Sequence, residues 1–340
     1  EQGWPYMLID WQWYGPYNKA HADITKPAPQ LNMPEILEYA RSKNVRCWLW
    51  LYCTDVNKND SYKEAFALYE KWGIAGIKID FMDRDDQEMV NWYHRTIKEA
   101  AKHKLMVNFH GAYKPDGIGR TYPNLLTREG VMGGEYSKFS KKSDTEHNVT
   151  LAFTRMLAGP MDYTPGTFDI LYEKTRNSPR RKKWNDLDKG NSRVNTTLAK
   201  QIANWVIIYS PLQMASDMIE NYEGHPAFQF FRDFDADCDW SEALQGEPGE
   251  FVAVVRKAKD NYFLGATTNE EARTLTIPLD FLEKDKKYHA VIYADGEDAD
   301  WKTNPTSYQI KDREVTAADT LSVVMAKGGG QAVSFIPVTD

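Results

Sequence analysis

The chain has 340 residues and a formal net charge of −7, which argues against nucleic acid as a partner. Its one short basic run, residues 180–183, stands in a polar loop and is typical of a solvated surface. The three cysteines, Cys47, Cys53 and Cys238, have neither metal-ligand spacing nor the even count of a disulfide framework. The length allows one large domain with a sizeable core and one small domain, and we recognise no membrane span or signal peptide.

Strand-like apolar segments alternate with periodic helical segments over the first 220 residues. Strands are predicted at residues 6–10, 45–52, 74–81, 105–110 and 125–129, with less regular candidates at 161–163 and 212–217. Helices are predicted at residues 32–43, 61–72, 87–104, 147–157 and 196–209, with a long polar loop at 173–193 before the last helix. This alternation is typical of a parallel α/β fold.

The seven strand candidates fall one short of a closed (β/α)8 barrel. We therefore predict a TIM-type barrel over residues 1–240 whose first strand lies upstream of residue 1. Residues 6–10 are then its second strand and residues 74–81 its fourth. An open doubly wound sheet is the alternative, although no glycine-rich phosphate loop follows any strand.

The pattern changes near residue 240, where short alternating segments separated by turns begin. Strands are predicted at residues 251–256, 262–266, 274–277, 289–293 and 321–325. We expect residues 241–340 to form a small antiparallel β domain that covers barrel helices. No group in it points to chemistry.

The run from Gly73 to Phe81 is apolar except for Lys78 and Asp80, and it predicts a buried parallel strand. Because alternate residues of a strand share a face, Lys78 and Asp80 point the same way. Burying two charges is costly unless they serve a site. In a barrel, Asp80 lies at the C-terminal end of the strand, where such barrels keep their active sites. A structural ion pair between Lys78 and Asp80 is the alternative.

Four charged residues, Asp83 to Asp86, follow this strand and precede the next helix. The run does not have the spacing of an EF-hand loop. We expect Asp85 or Asp86 to be the N-cap of the helix and Arg84 to pair with acids.

Acidic and aromatic residues concentrate at the strand ends, and the chain contains 11 Trp and 19 Tyr. Aromatic rings stack on the apolar faces of sugars and carboxylates bind hydroxyl groups, although a protein core can also use such rings. The polar residues at the strand ends are Asp10, Asp55, Asp80, Asp83, His110, Glu129, Glu135, Asp162 and Asp217. Such a ring suits either catalysis on a glycosidic bond or the binding of a hard cation.

Cleavage of a glycosidic bond needs two carboxyl groups, one protonated and one ionised. Asp80 suits the ionised role because Lys78 would hold its charge. Glu135, in a Gly-Gly-Glu turn where the backbone can approach a substrate, suits the proton donor; an exposed loop acid is the alternative. Glu129 and Glu135 could share a Ca²⁺ ion, but two glutamates are not by themselves a site. His110 suits a donor to a substrate hydroxyl or a structural group.

Four blocks of the sequence, residues 76–87, 107–111, 126–135 and 153–166, resemble glycoside hydrolase family 97. The resemblance implies an N-terminal β-sandwich domain, absent from this chain, before the barrel and the small β domain. It implies Ca²⁺ held by glutamates, with Glu129 and Glu135 matching two of them and the N-terminal domain supplying another. Export to a bacterial periplasm and an oligosaccharide substrate also follow from it.

The family has two branches, and the resemblance places this chain in the retaining α-galactosidase branch. That branch keeps an aspartate on strand four as nucleophile, which Asp80 matches, whereas the inverting branch has a glutamate where this chain has Gly111. The resemblance thus implies Asp80 as nucleophile and Glu135 as acid/base, about 5–5.5 Å apart. The residues expected to bind the sugar are Asp10, Trp11, Trp13, Lys78 and His110.

Three other functions stay open from the sequence. An α-glucosidase of the same mechanism differs only in a sugar contact that the sequence does not reveal. A non-catalytic carbohydrate-binding barrel is a second, although Asp80 and Glu135 are both present. A metal-dependent barrel isomerase or lyase is a third, and it would place a metal on Asp80.

Overall fold

The computed structural model describes residues 3–140, 142–173 and 192–338. Most of the predicted polar loop, with its basic run, lies outside the described residues. The chain divides into two compact units. The first comprises Glu1–Val131 with Ala158–Asp162, and the second comprises Met132–Leu157 with Tyr163–Asp340.

Five parallel strands form the sheet of the first unit in the order β1-β2-β3-β4-β5. They are β1 (Tyr6–Ile9), β2 (Arg46–Tyr52), β3 (Gly76–Asp80), β4 (Met106–Phe109) and β5 (Leu125–Arg128). The helices of this unit are α1 (Met33–Ser42), α2 (Cys53–Asn57), α3 (Tyr62–Trp72), α4 (Gln87–Lys102) and α5 (Ile118–Thr121), with a 3₁₀ turn at Lys58–Asp60. The five principal predicted strands and the predicted α1, α3 and α4 are thus confirmed.

The strand order bears on the choice between the two predicted α/β architectures. A doubly wound sheet reverses its strand order at a switch point, whereas these five strands follow one another in chain order. Met161 continues the series with one parallel bridge to Arg128. The structure confirms an α/β fold with a C-terminal β domain, and closure into a barrel with an upstream strand stays a prediction.

One strand prediction is wrong. The structure assigns no strand to residues 212–217, and Asp217 there accepts hydrogen bonds from the backbone of Phe168 and Asp169. An apolar run bounded by polar residues cannot be told from a buried loop by its pattern alone.

Helix α4 shows how the chain ends one element and starts the next. The Asp86 side chain accepts a hydrogen bond from the backbone N of Met89, which makes it the N-cap that the sequence left open between two aspartates. Arg84 pairs with Asp86 and Glu88, as expected. These contacts anchor the turn that follows β3.

The second unit contains an antiparallel six-stranded sheet in the order β11-β10-β13-β8-β7-β6 and a two-stranded sheet, β12-β9. Its strands are β6 (Trp240–Glu247), β7 (Phe251–Ala258), β8 (Asn261–Thr268), β9 (Arg273–Pro278), β10 (Tyr288–Asp295), β11 (Tyr308–Val315), β12 (Thr320–Met325) and β13 (Gly330–Pro337). Five of the eight are the predicted strands. Strands β6, β11 and β13 were not predicted; β6 and β11 are largely exposed edge strands with charged side chains, which hides the alternation.

The described helices of the second unit precede its sheets in the chain. They are α6 (Thr145–Phe153), α7 (Leu198–Ile207), α8 (Ile219–Tyr222) and α9 (Gln229–Asp233), with 3₁₀ turns at Gly134–Lys138, Arg155–Ala158 and Pro226–Phe228. All ten residues of α7 are buried. A side chain at Gly265 of β8 would come within 2.6 Å of the Ala203 carbonyl oxygen, so the sheet lies directly on this helix. The predicted domain boundary at residue 240 stays a prediction.

None of the helices in the described residues has the length and apolarity to span a membrane.

Candidate active site

Asp80 ends β3, and its carboxylate is held by two donors. Trp50 Nε1 donates to Oδ2 at 3.0 Å, and the backbone N of Phe81 donates to Oδ1 at 2.8 Å. Strand register explains the first contact, because Trp50 lies opposite Lys78 and one pleat before Tyr52, the partner of Asp80. Asp80 is only 8% exposed, so this is a nearly desolvated carboxylate at the end of a parallel strand.

His110 lies immediately after β4 and faces three carboxylates. Its Nδ1 is 3.6 Å from Asp80 Oδ2 and 3.4 Å from Glu129 Oε2, and its Nε2 is 3.7 Å from Asp162 Oδ2. All four side chains are buried. The structure therefore brings together Asp80, His110 and Glu129, which the sequence placed at three different strand ends.

Charge explains the protonation states in this cluster. Burial by itself would raise the pKa of Asp80, but His110, Lys78 and Trp50 outweigh it and hold that pKa below its ordinary value. Burial and Lys78 would lower the pKa of His110, but the surrounding carboxylates outweigh them and raise it. The cluster thus favours an ionised Asp80 beside a charged imidazole.

Gly111 determines how closely the chain after β4 approaches Asp80. Its φ is +56°, and a Cβ built on it would lie 2.9 Å from the Phe81 backbone N and 3.0 Å from Asp80 Oδ1. Its own backbone N donates to Glu129 Oε2 at 2.7 Å. Glycine is therefore required here both by the backbone conformation and by the space that Asp80 occupies.

Asn108 and Asp162 are also buried, and neither was predicted to have a role at the site, although Asp162 was among the acids predicted at strand ends. The Asn108 side-chain amide donates to Asp162 Oδ2 at 2.6 Å. Among the described residues, Oδ1 of each has no hydrogen-bond partner, so both are buried acceptors open to a further donor. Asn108 pairs with Lys78 in register, and this alternation along β4 was the signal that could have identified it.

The other residues expected to bind sugar lie at different depths in the first unit. Asp10 is exposed and accepts a hydrogen bond from the backbone N of Trp11, whose half-buried ring lies 6.3 Å from that of Trp50. Trp13 is 1% exposed, and its Nε1 donates to the Trp50 carbonyl oxygen at 2.6 Å. The structure thus places Trp13 in the hydrophobic core, where it supports Trp50 from behind and presents no open face.

Glu135 belongs to the second unit, whereas Asp80 belongs to the first. It is exposed, in the 3₁₀ turn Gly134–Lys138. The glycine before it meets protein backbone: Gly134 N donates to the Tyr163 carbonyl oxygen at 2.8 Å, and a Cβ would lie 2.7 Å from that of Thr164. The separation of Asp80 and Glu135 stays a prediction.

The expected Ca²⁺ ion needs more ligands than these residues supply. Ca²⁺ takes six to eight oxygen ligands. Glu129 already accepts from Gly111 and faces His110, and the described residues contain no group of three or more acidic, His or Cys side chains able to hold a metal. The two glutamates alone therefore do not complete a calcium site, and the Ca²⁺ ion stays a prediction.

Comparisons with known proteins identify the family to which the chain is similar. The family model described as glycoside hydrolase 97 matches residues 1–131, and one described as glycosyl-hydrolase 97 C-terminal, oligomerisation, matches residues 237–336. A "retaining alpha-galactosidase" of Bacteroides thetaiotaomicron is 32% identical over 336 residues, and a "probable retaining alpha-galactosidase" of Streptomyces bingchenggensis is 32% identical over 338. Each alignment covers 98% of this chain and 48% of the relative, so the chain spans about half the length of these relatives.

Solved structures give the same result. A glycoside hydrolase family 97 enzyme from Pseudoalteromonas sp. strain K8 is 36% identical with a TM-score of 0.87, over 99% of this chain and 54% of that one. The same enzyme has been solved with panose and with acarbose, each with a TM-score of 0.86. A β-arabinopyranosidase shares the fold, with a TM-score of 0.79 at 22% identity over 98% of this chain and 51% of that one. Because two models of one family together match more than half of the residues, and relatives aligned over 98–99% of this chain agree, the chain belongs to glycoside hydrolase family 97.

Proposed function

We propose that the protein is a retaining, exo-acting α-galactosidase in which Asp80 is the nucleophile. The observation that carries this proposal is the environment of Asp80, a buried carboxylate at the end of a parallel strand with its pKa held low. A nucleophilic carboxylate must be ionised and desolvated to attack a sugar carbon. Trp50 and the Phe81 backbone N fix its two oxygens, so its orientation is set before substrate binds.

In this mechanism two carboxyl groups act in turn. Glu135 protonates the oxygen of the departing group while Asp80 attacks the anomeric carbon, and a β-linked galactosyl-enzyme forms. Glu135 then takes a proton from water, which attacks the same carbon, breaks the bond to Asp80 and releases α-galactose. Lys78 and His110 stabilise the carboxylate of Asp80 whenever it is free.

Gly111 supports the retaining reaction over the inverting one. The inverting branch of the family has a glutamate at this position, and even a Cβ there would lie 3.0 Å from Asp80 Oδ1 in this chain. The aspartate nucleophile and a side chain at position 111 therefore compete for the same space. This chain has the aspartate and the glycine.

The choice of galactose follows from the relatives and is the finer part of the proposal. Two relatives at 32% identity are named retaining or probable retaining α-galactosidases. An α-glucosidase is the second candidate, because the 36%-identical Pseudoalteromonas enzyme was solved with panose and acarbose. The upstream β-sandwich, the Ca²⁺ ion that it would help to hold, and export to a periplasm are further proposals, and no step above depends on them.

The first test follows the anomer released from p-nitrophenyl α-galactoside by the full-length protein, using proton NMR. We expect α-galactose to appear first and β-galactose only later, through mutarotation. Early β-galactose would overturn the retaining mechanism. Cleavage of only the α-glucoside would overturn the choice of sugar.

A second test identifies the nucleophile directly. In Asp80→Ala, azide can enter the space of the lost carboxylate and attack an activated α-galactoside to give β-galactosyl azide. The variant cannot hydrolyse this product, because it lacks the carboxylate. Formation of that product supports Asp80 as nucleophile. A wild type that binds galactosides without turnover would favour the carbohydrate-binding alternative.

A further inference from the structure

Three aromatic rings of the first unit stand in a row that ends at Phe81, the residue after Asp80. Tyr17 stacks on Tyr52 with ring centroids 4.9 Å apart at 30°, and Tyr52 stacks on Phe81 at 5.2 Å and 27°. Trp11 lies beyond Tyr17 at 5.4 Å. The row therefore has Phe81 as its exposed end.

Phe81 presents the open face of this row. It is 41% exposed, whereas Tyr17 and Tyr52 are half-buried. A single exposed aromatic residue is common on protein surfaces. Phe81 differs because two stacked rings fix its orientation from behind and because its backbone joins the site, since its N donates to Asp80 Oδ1.

The backbone of Phe81 is strained. Its φ is +63°, in the left-handed region that bulky residues rarely adopt. A glycine or asparagine would meet this conformation at lower cost. Such strain persists where the surrounding structure over-determines it, which is typical of ligand-binding positions.

Depth indicates which part of a substrate would reach this ring. Asp80 is 8% exposed, and Phe81, the next residue, opens to solvent. In an exo-acting glycosidase the terminal sugar occupies the buried position at the nucleophile, and the remainder of the substrate extends outward. A ring joined to the departing oxygen therefore passes the exposed face at the mouth of the site.

We infer that Phe81 is the binding surface for the sugar ring attached to the departing oxygen, with Tyr52 and Tyr17 as positioning residues behind it. The C–H face of a pyranose ring stacks on an aromatic face, and the row leaves one such face open. This inference rests on the proposed function and adds the part of the substrate that Phe81 selects.

The test compares two substrates that share the terminal sugar. Melibiose carries a glucose ring on the departing oxygen, whereas α-galactosyl fluoride carries no ring there. For Phe81→Ala, we expect the ratio of kcat/KM on melibiose to that on the fluoride to fall about tenfold, which corresponds to about 1.4 kcal/mol. Phe81→Tyr, which keeps an aromatic face, should hold the ratio near that of the wild type.

A matched control and the opposing outcomes complete the design. Tyr39 on α1 is a 65% exposed aromatic residue of the same unit, and Tyr39→Ala should change neither rate. Equal losses on both substrates, or no loss on either, in Phe81→Ala would overturn the inference. A wild type that hydrolyses neither galactoside would overturn the proposed function, and the same comparison on maltose and α-glucosyl fluoride would then test Phe81 for the second candidate.

Discussion

At the scale of single residues, the absence of one side chain at position 111 shapes the space around Asp80. The Gly111 backbone lies against Asp80 and Phe81, and its amide holds Glu129. Packed protein interiors transmit even one added methylene to their neighbours. Asp80 and the loop after β4 therefore form one unit of packing.

Replacing Gly111 with Ala should reduce kcat/KM by about a hundredfold or more, because its Cβ would push against Asp80 Oδ1 and a misplacement of about 1 Å can cost that much. Steady-state kinetics on the activated galactoside measures the loss. Gly117→Ala is the control, since Gly117 also has a positive φ, +91°, but nothing within 4 Å of its Cβ position. Equal losses in the two variants would show that backbone strain, and not the contact with Asp80, is responsible.

At the scale of elements, the register between β2 and β3 places a tryptophan beside Asp80. Trp50 and Lys78 are paired positions, and the Trp50 indole reaches forward to Asp80. Trp48, two residues earlier, faces the same side of the sheet. It is paired with Gly76, which lies at the opposite end of β3 from Asp80. A shift of one residue would turn these side chains to the other face.

Trp50→Phe should lower kcat on the activated galactoside about tenfold, consistent with a lost hydrogen bond to a charged group, worth about 1.5 kcal/mol or more. In the wild type this hydrogen bond favours the ionised carboxylate. Its loss should therefore raise the pKa of Asp80 and move the acid limb of the kcat/KM profile to higher pH. Trp48→Phe is the control, because Trp48 Nε1 is buried without a hydrogen-bond partner among the described residues. An unmoved acid limb in Trp50→Phe would contradict this role for Trp50.

At the scale of the whole molecule, a fully buried lysine connects three elements within the second unit. Lys200 near the start of α7 donates from Nζ to the carbonyl oxygens of Thr145, at 2.8 Å, and Thr268, at 2.7 Å. It thereby links α7 to α6 and to the end of β8. Burial lowers the pKa of Lys200 to about 7, although nearby acidic residues oppose it.

This depressed pKa makes stability depend on pH. Between pH 7 and about 10.4 the unfolded chain binds a proton at Lys200 that the folded chain does not, so the free energy of unfolding rises with pH, by about 1.4 kcal/mol per unit. We expect urea unfolding at pH 7.5, 8.5 and 9.5 to show this rise in the wild type relative to Lys200→Met. Lys71→Met, at an exposed lysine of α3, should keep the wild-type slope. Parallel slopes in the wild type and Lys200→Met would contradict the prediction.

How far the sequence predicts this protein depends on how local each signal is. The apolar run of β3 and the periodic face of α4 are local patterns, and the structure confirms both elements and the position of Asp80 at the strand end. Predictions failed where the position of a segment in the fold decides its structure. Strands β6 and β11 are exposed edges and were missed, and residues 212–217 were predicted as a strand but form a loop.

The sequence by itself determined the α/β class, the antiparallel C-terminal domain, the family and the position of Asp80 at a strand end, because each follows from periodicity or from contiguous blocks of residues. Only the tertiary structure decided which tryptophan serves the site: Trp50 contacts Asp80 and Trp13 lies in the core. It also placed Asp162 and Glu129 on the two sides of His110. The reason is physical, since strand register and packing bring together residues far apart in the chain, and no local pattern encodes those distances.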